Sequence, residues 1–390
     1  MLLVIIYVAF ISLGLPDSIM GSAWPVIRLD LAAPIGLVGY ISMTVSTGTI
    51  ISSLFSNRLT ARFGTGKVTL FSVLMTAVAL FGYSFAKSVP FLFLLAIPLG
   101  LGAGSVDAAL NNFVALHYKS QHMNWLHCFW GIGATVGPMI MSVFLVAPYG
   151  WRKGYLVIAG VQASLVLILI LTMSAWGKKE RLSQQSPEST TAILTNREAL
   201  KVSNVKLALV SFVFFCATEL TTGLWSSSYL VTVKGLSATV AAQWTAYFYA
   251  GITAGRLVAG FLSVKVVNQM LIRAGQIVCV LGTVFLLLPL HVYFSALGLI
   301  LIGLGTAPIF PAMLHETPNR FGAEASGAIM GLQMAFAYVG STLGPPLFGA
   351  IASVTSLRLL PYFVLACVLI MFSASELLQK RLQQLEVTQP

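Results

Sequence analysis

The sequence predicts an all-α membrane protein with twelve transmembrane helices, arranged as two pseudo-symmetric six-helix bundles. Three observations predict this fold class. The 390-residue chain is 57% hydrophobic and only 8% charged, whereas soluble domains carry about a quarter charged residues. The apolar residues fall into long blocks, and the second half of the chain repeats glycine and proline motifs of the first half.

Each block is long enough to cross a hydrocarbon layer about 30 Å thick at about 1.5 Å per helical residue. The blocks cover residues 2-25, 35-56, 67-86, 90-116, 124-147, 155-176, 206-231, 238-264, 268-288, 292-314, 325-350 and 357-377. The first block lacks a basic start and a small-residue cleavage site, and it contains Pro16 and Asp17. We therefore interpret it as a retained helix and not as a secretory signal.

One long polar interval divides six apolar blocks from six. It is rich in Lys, Glu, Gln and Ser and offers too little apolar surface to fold alone. The predicted domains are an N-terminal six-helix bundle at 1-176, a cytoplasmic linker at 177-204, a C-terminal six-helix bundle at 205-379 and a cytoplasmic tail at 380-390.

Sequence motifs recur between the two halves at a nearly constant offset. Gly100-Leu101-Gly102 returns as Gly303-Leu304-Gly305, and Gly48 corresponds to Gly251. The stretch that begins with Gly133 and ends with Gly137-Pro138 returns at Gly340 and ends with Gly344-Pro345, and Asp17 falls opposite Glu219. Two parallel six-helix repeats are typical of transporters that bind a solute at the midplane between rocking halves.

Basic residues in the loops and near the span ends indicate the orientation of the chain. The side that holds the N-terminus has fifteen Lys and Arg residues in its loops, span ends and tail, against six on the other side, with Arg256 left out as intramembrane. Positive charge is retained on the cytoplasmic side of membrane proteins. We therefore expect a cell-membrane protein with both termini in the cytoplasm.

Four ionisable side chains are candidates for positions within the membrane, away from the span ends: Asp17, Asp107, Glu219 and Arg256. Such groups cost about 2.5 to 3.5 kcal/mol to insert, so few are retained without a partner or a use. A carboxyl group held away from water favours its protonated form, and it can therefore carry a proton. Asp17, Asp107 and Glu219 are the proton-coupling candidates, whereas Arg256, toward the cytoplasmic end of its span, is expected to hold a loop or to reach the interface.

Other polar and aromatic side chains lie near these acids in the predicted spans. A sugar needs flat apolar surfaces together with hydrogen-bonding groups, and Trp with Asp, Asn and Gln supplies both. The substrate-binding candidates are Asp17, Asp107, Asn111, Asn112, Trp130, Glu219, Trp225, Trp244, Tyr247, Gln333 and Tyr338. Trp24, Trp125, Trp151 and Trp176 lie at predicted span ends, so we interpret them as anchors at the membrane interface.

Several other functions are disfavoured by the sequence. There is no nucleotide-binding P-loop, and His315-Glu316-Thr317-Pro318-Asn319 lacks the second histidine of a zinc-protease motif. The cysteines Cys128, Cys216, Cys279 and Cys367 are too dispersed to indicate a disulfide framework or a zinc site. We therefore expect no enzyme activity, no metal and no cofactor. The basic residues form no soluble patch, so no nucleic-acid partner is expected, and a lipid bilayer and a small-molecule substrate are the predicted partners of a monomer.

The segment Asn57-Arg58-Leu59-Thr60-Ala61-Arg62-Phe63-Gly64 resembles the signature loop of the major facilitator superfamily. That loop usually opens with Gly and carries Asp before its Arg, where this chain has Asn57 and Ala61. The resemblance covers nearly the whole chain and implies the twelve-helix fold of that superfamily. It also implies gating roles for Arg58, Arg62 and Gly64, to which we add Arg256 as a loop-holding residue.

Two shorter segments are similar to fucose permease and its sugar-transporting relatives. These are Leu15-Pro16-Asp17-Ser18-Ile19 and Asp107-Ala108-Ala109-Leu110-Asn111-Asn112. The resemblance implies sugar uptake coupled to protons, with Asp17 and Asp107 as the acids that serve both. Sodium coupling is the alternative for the ion.

A rival interpretation comes from the fifth span. The pattern Gly133-x-x-x-Gly137-Pro138 resembles the motif of antiporters that export drugs or metabolites. The same pattern returns at Gly340, which favours a packing or hinge element common to both halves. Proton-coupled export therefore stands as the second hypothesis.

Overall fold

The computed structural model describes residues 2–118, 120–147, 150–174, 176, 196–289 and 291–388. Twelve long helices lie in these residues: α1 Leu2–Asp30, α2 Leu37–Phe63, α3 Thr65–Ser84, α4 Val89–His117, α5 Ser120–Phe144, α6 Gly150–Leu171, α7 Val205–Thr232, α8 Ala238–Leu262, α9 Asn268–Leu287, α10 Tyr293–Thr306, α11 Ala323–Val354 and α12 Leu360–Thr388. Short helices lie at Asn196–Ala199, Ile309–His315, Thr317–Phe321 and Leu357–Leu359. The predicted all-helical membrane fold is confirmed.

Within the described residues, eleven helical segments are long and apolar enough to span a membrane. The exception is α8, which has 25 residues but carries Gln243 and Arg256 among its apolar residues. The other helices follow the predicted spans with shifted ends, and the predicted span 292-314 is divided between α10 and the short helix Ile309–His315. For example, α2 continues to Phe63 and α12 to Thr388, because hydrogen bonding along a helix continues where its residues become polar.

Contacts divide the chain into two compact units. Unit 1 consists of Met1–Pro187, Gly223–Ala250 and Gly349–Leu357, and unit 2 of Glu188–Thr222, Gly251–Phe348 and Arg358–Pro390. The predicted bundle boundaries stay a prediction, since the linker lies largely outside the described residues. The part of it that is described contains the short helix Asn196–Ala199.

In unit 1, α1 packs against α5, α2 against α4, and α3 against α4 and α6. Its buried core draws on α1, α3, α4, α5 and α6, and includes Phe10, Leu110, Phe113 and Trp176. In unit 2, α9 packs against α10 and α12. A smaller core there joins Ala199 and the start of α7 to Ile329 and Leu332 of α11.

The repeated glycines make equivalent helix contacts in each unit. A side chain at Gly48 of α2 would meet Gly100 and Leu101 of α4, and one at Gly251 of α8 would meet Gly303 and Leu304 of α10. Likewise Gly133 of α5 lies against Ile11 of α1, and Gly340 of α11 against Val213 of α7. Small residues let helix backbones approach closely. The glycines that repeat in the sequence therefore make the same kind of helix–helix contact in both units.

The interface anchors expected at span ends are mostly wrong. Trp24, Trp151 and Trp176 are at most 1% exposed, and only Trp125 of the four, at 48%, has open surface. The indole of Trp24 donates to the Ile35 carbonyl at 2.9 Å, and that of Trp151 to Asp30 Oδ2 at 3.1 Å. These rings are buried because a neighbouring helix or turn covers them.

Candidate functional site

Asp17 lies in the middle of α1 with its side chain exposed, although the residues around it are buried. The indole Nε1 of Trp130 on α5 donates a hydrogen bond of 2.8 Å to Asp17 Oδ2. The contact depends on the close approach of α1 and α5, where Gly14 and Gly133 each leave no room for a side chain. Trp130 thus holds one oxygen of an exposed carboxyl group.

Asp107 lies on α4 and is half-buried. The amide nitrogen of Asn111, one turn later, donates to Asp107 Oδ1 at 2.9 Å and to the Asp107 carbonyl at 3.0 Å. The next residue, Asn112, is exposed. Two amide side chains therefore accompany this acid.

Two glycines that precede Asp107 on its face of α4 lie against α2. Gly100 lies against Val45 and Gly104 against Thr49 and Ser52 of α2. The hydroxyl of Thr49 donates to the Gly100 carbonyl at 3.3 Å. These glycines therefore pack α4 against α2. Asp107, Asn111 and Asn112 lie further along α4.

Neither Asp17 nor Asp107 forms an ion pair with any described residue. The ion pairs in that part of the chain are Asp30 with Arg152, Glu219 with Arg256 and Arg273 with Glu376.

Unit 2 carries the other acid and the intramembrane arginine. The Arg256 guanidinium on α8 lies 3.9 Å from Glu219 Oε1 on α7, and their side chains are 19% and 11% exposed. Sequence analysis placed Arg256 toward a loop and missed this pair. The two residues are distant in sequence, so only the packing of α7 and α8 brings them together.

The remaining substrate candidates differ in exposure. Tyr247 is 37% exposed and Tyr338 is half-buried, whereas Trp225, Trp244 and Gln333 are buried. The Trp225 ring lies where a side chain on Gly349 would be. Gln333 Oε1 accepts a hydrogen bond of 2.9 Å from Thr317. In this conformation the buried residues pack within the protein and present little surface to a solute.

Of the gating candidates, Arg58 and Arg62 are exposed. The Arg62 guanidinium lies 5.3 Å from the ring centroid of its neighbour Phe63. Gly64 joins α2 to α3 with a φ of 82°, a conformation that side-chain-bearing residues rarely adopt. The loop therefore has a fixed tight turn with two cations beside it.

A further set of close contacts in unit 1 joins the second half of α1 and the α1–α2 turn to α7 and α11. We call it the far-end contact, and it comprises Gly21 with Leu224, Ser22 with Ser227, and Gly36 with Gly349. The Ser227 hydroxyl donates to the Ser22 carbonyl at 2.9 Å. A Cβ built on Gly36 would lie 3.5 Å from the Cβ of Ser353.

Nothing among the described residues indicates a metal site. No group of three or more His, Cys, Asp or Glu residues in that part of the chain could hold a metal ion. Cys216, Cys279 and Cys367 are buried and form no disulfide. The polar groups around Asp17 and Asp107 are carboxylates, amides and a ring edge, which suit a small polar solute.

Sequence comparison matches the model of the Major Facilitator Superfamily to residues 6–345. The uncharacterized transporter y4wD of Sinorhizobium fredii is 26% identical over 334 residues, 84% of each chain. The cis,cis-muconate transport protein of Acinetobacter baylyi is 24% identical over 83% of this chain and 80% of its own. Multidrug resistance protein 2 of Bacillus subtilis is 23% identical over 88% of this chain and 86% of its own.

Two solved structures share the fold at low sequence identity. The nucleoside transporter NupG, as a D323A mutant, superposes with a TM-score of 0.78 over 96% of this chain and 98% of its own, at 12% identity. A D-xylose-proton symporter superposes with a TM-score of 0.72 over 95% of this chain and 96% of its own, also at 12% identity. At this identity the likeness extends to the fold alone.

Proposed function

Because the chain belongs to the major facilitator superfamily, and is thus a multi-pass membrane transporter of a small molecule and not an enzyme, we propose that it moves a sugar or similar polyol together with protons by alternating access. Asp17 and Asp107 carry the coupling, and Asn111, Asn112 and Trp130 share the solute with them. The other candidates on α7, α8 and α11 complete the site when the protein changes conformation.

The observation that carries this proposal is the contact between Trp130 and Asp17. One oxygen of the exposed Asp17 carboxyl group is held by the Trp130 indole. The carboxyl group can accept a hydrogen bond from a sugar hydroxyl while the sugar packs against the flat apolar ring of Trp130. No cation among the described residues pairs with this carboxyl group, so it can bind a proton. One residue thereby links the solute to the ion.

The orientation of the proposed transport follows from the basic loops. With both termini in the cytoplasm, the far-end contact lies on the outer side of the membrane. Alternating access requires this contact to open and close in each cycle. It consists of backbone carbonyls, glycines and a serine hydroxyl and not of charged groups, which is suited to repeated separation.

Export of drugs or metabolites is the second candidate, and the relative named multidrug resistance protein 2 favours it. The glycine motif of α5, however, packs α5 against α1, and its repeat packs α11 against α7. Because both halves use the motif for the same contact, it does not distinguish an exporter. An uptake experiment can distinguish import from export.

The proposal is tested by uptake into proteoliposomes under an imposed pH gradient, with internal pH recorded. The panel contains L-fucose, glucose, other hexoses and pentoses, a dicarboxylate such as cis,cis-muconate, and a cationic dye. We expect one sugar to accumulate while protons enter. Dye movement opposite to protons, with no sugar signal, would assign the protein to the exporters.

A sodium gradient with no pH gradient is the control for the ion. Sugar accumulation driven by sodium alone would replace the proton in the proposal while retaining its substrate. Accumulation of the dicarboxylate and of no sugar would contradict the substrate class, because a dicarboxylate is an anion and not a sugar or polyol.

A further inference from the structure

We propose that His127 on α5 is a further solute-binding residue, which forms a hydrogen bond with the edge of the sugar that lies away from Asp17. The inference rests on the proposed sugar transport and extends its site by one side chain. It also specifies the substrate class, since the site then suits a ring-shaped sugar with hydroxyl groups on two opposite edges.

The exposed side chains of α5 lie on two different sides of the helix. Large apolar side chains with open surface recur at spacings of three, four or seven residues, as expected of one lipid-facing stripe: Trp125, Ile132, Val136, Met139 and Val143. His127 is exposed as well. Val136 follows it by nine residues, about two and a half turns, and so points in the opposite direction. The imidazole is therefore exposed on the side of α5 that faces away from lipid.

The side of α5 that carries His127 also contacts α1. The His127 ring packs edge-on against Phe10 of α1, with 6.0 Å between the ring centroids. One turn later on α5, Trp130 Nε1 donates to Asp17 Oδ2 at 2.8 Å. Asp17 follows Phe10 by two turns on the same face of α1. His127 and Asp17 therefore lie on either side of Trp130 along one contact within unit 1.

The half-buried Trp130 ring is thus flanked by two different polar groups. The Asp17 carboxylate accepts hydrogen bonds, whereas a neutral imidazole donates from one nitrogen and accepts at the other. His127 and Trp130 are one turn apart, which is about 5.4 Å along the helix and comparable with the width of one sugar ring. A sugar packed on the indole can therefore reach Asp17 with one edge and His127 with the other.

His122, nearer the start of α5, has a different environment. It is half-buried, and its Nδ1 shares a hydrogen bond of 2.8 Å with the hydroxyl of Tyr7 on α1. This imidazole joins the two helices, so it is a matched comparison for the exposed imidazole of His127.

The test is acylation of the purified protein by diethyl pyrocarbonate, with mass spectrometry to give the rate at each histidine. Without sugar, we expect His127 to react faster than His122. At about ten times its Kd, the sugar that accumulates in the uptake panel should slow the reaction of His127 about tenfold, because it occupies the site. A panel sugar that does not accumulate should give no protection, and His291, exposed between α9 and α10, should react equally in all samples.

A substitution separates direct contact from an indirect effect. His127→Phe retains a ring against Phe10 and removes both nitrogens, so the KM for sugar counterflow should rise about three- to tenfold, as for the loss of one hydrogen bond. One monodeoxy analogue of the transported sugar should raise KM in the wild type and not in His127→Phe, since the two changes remove the same contact. His291→Phe should leave KM unchanged.

Transport of a sugar that neither protects His127 nor shows a raised KM in His127→Phe would overturn this role and leave the proposed function intact. Independent losses for every monodeoxy analogue in His127→Phe would also overturn it, because the histidine would then act without touching a hydroxyl group. Failure of every sugar in the uptake panel would instead contradict the proposed function itself.

Discussion

In the proposed function, the contact between Asp17 and Trp130 serves both the solute and the proton. The indole fixes the carboxyl group in place, and the absence of a nearby ion pair among the described residues leaves its charge uncompensated. Sequence reasoning identified both residues as candidates from depth and residue type. It could not identify their contact, because that depends on how closely Gly14 and Gly133 let α1 and α5 approach.

Replacing either acid by its amide should separate transport from proton coupling. We expect Asp17→Asn and Asp107→Asn each to reduce proton-driven accumulation more than about tenfold, since an amide has a similar shape but cannot carry the proton. Accumulation in proteoliposomes measures the effect. Glu376→Gln is the matched control, because Glu376 pairs with Arg273 at an exposed position and has no part in the site. If both site variants accumulate sugar as the wild type does, the coupling assignment is wrong.

The Trp130 indole is expected to position Asp17 for the solute. Trp130→Phe retains an aromatic ring and removes the Nε1 donor, whose hydrogen bond to a charged group contributes about 1.5–3 kcal/mol. The KM for sugar counterflow should rise roughly tenfold. Trp125→Phe, on the same helix at an exposed position, should leave KM unchanged. Equal effects of the two substitutions would count against a positioning role.

At the scale of helices, the sequence predicted the positions of the helices better than the burial of the side chains on them. Apolar block length identified all the long helices, including α8, whose hydropathy is low. The environment of Trp24, Trp151 and Trp176 was predicted wrongly, because position at a span end does not reveal whether a neighbouring segment covers the ring. The pair of Glu219 and Arg256 escaped prediction for the same reason, since a single helix carries no information on its neighbours.

The contact of Arg152 with Asp30 fastens three elements of unit 1. Arg152 at the start of α6 binds Asp30 Oδ2 at 2.5 Å at the end of α1, and it donates to the Ala86 carbonyl after α3 at 2.8 Å. Its guanidinium also lies 4.3 Å from the centroid of the Trp151 ring. The cluster ties the ends of α1, α3 and α6 together.

Removing this guanidinium should destabilise the unit. We expect Arg152→Ala to lower the free energy of unfolding by about 1–3 kcal/mol, because Asp30 and the Ala86 carbonyl lose a charged donor. Thermal unfolding in detergent gives the measurement. Lys153→Ala removes an exposed charge at the next position and should have no effect beyond about 0.5 kcal/mol. Equal stability of the two variants would show that the cluster contributes little.

For the whole molecule, the sequence repeat predicted the fold and also the equivalent helix contacts of the two halves. Equivalent glycines make equivalent contacts in the two units, so the offsets read from the sequence correspond to packing. The sequence did not reveal how the helices divide between compact units. That division depends on the far ends of α7, α8 and α11, where contacts join segments that are distant in the chain.

The far-end contact can be locked to test whether transport needs it to open. A Cβ at position 36 would lie 3.5 Å from the Cβ of Ser353, within the range of a disulfide. We expect Gly36→Cys combined with Ser353→Cys to lose sugar counterflow on oxidation and to regain it with reductant. The single variants should show no redox response, since Cys216, Cys279 and Cys367 are buried and Cys128 is half-buried. Full counterflow in the oxidised double variant would refute the requirement for opening.

The central claim is that sugar and protons enter together through Asp17. The most direct measurement adds the transported sugar to proteoliposomes with no imposed gradient and records the internal pH of wild-type protein and Asp17→Asn. The account predicts internal acidification in the wild type and none in the variant. Sugar counterflow should stay measurable in both, because the amide oxygen of the variant can still accept a hydrogen bond from the sugar. Sugar entry without acidification in the wild type, or equal acidification in the variant, would contradict it.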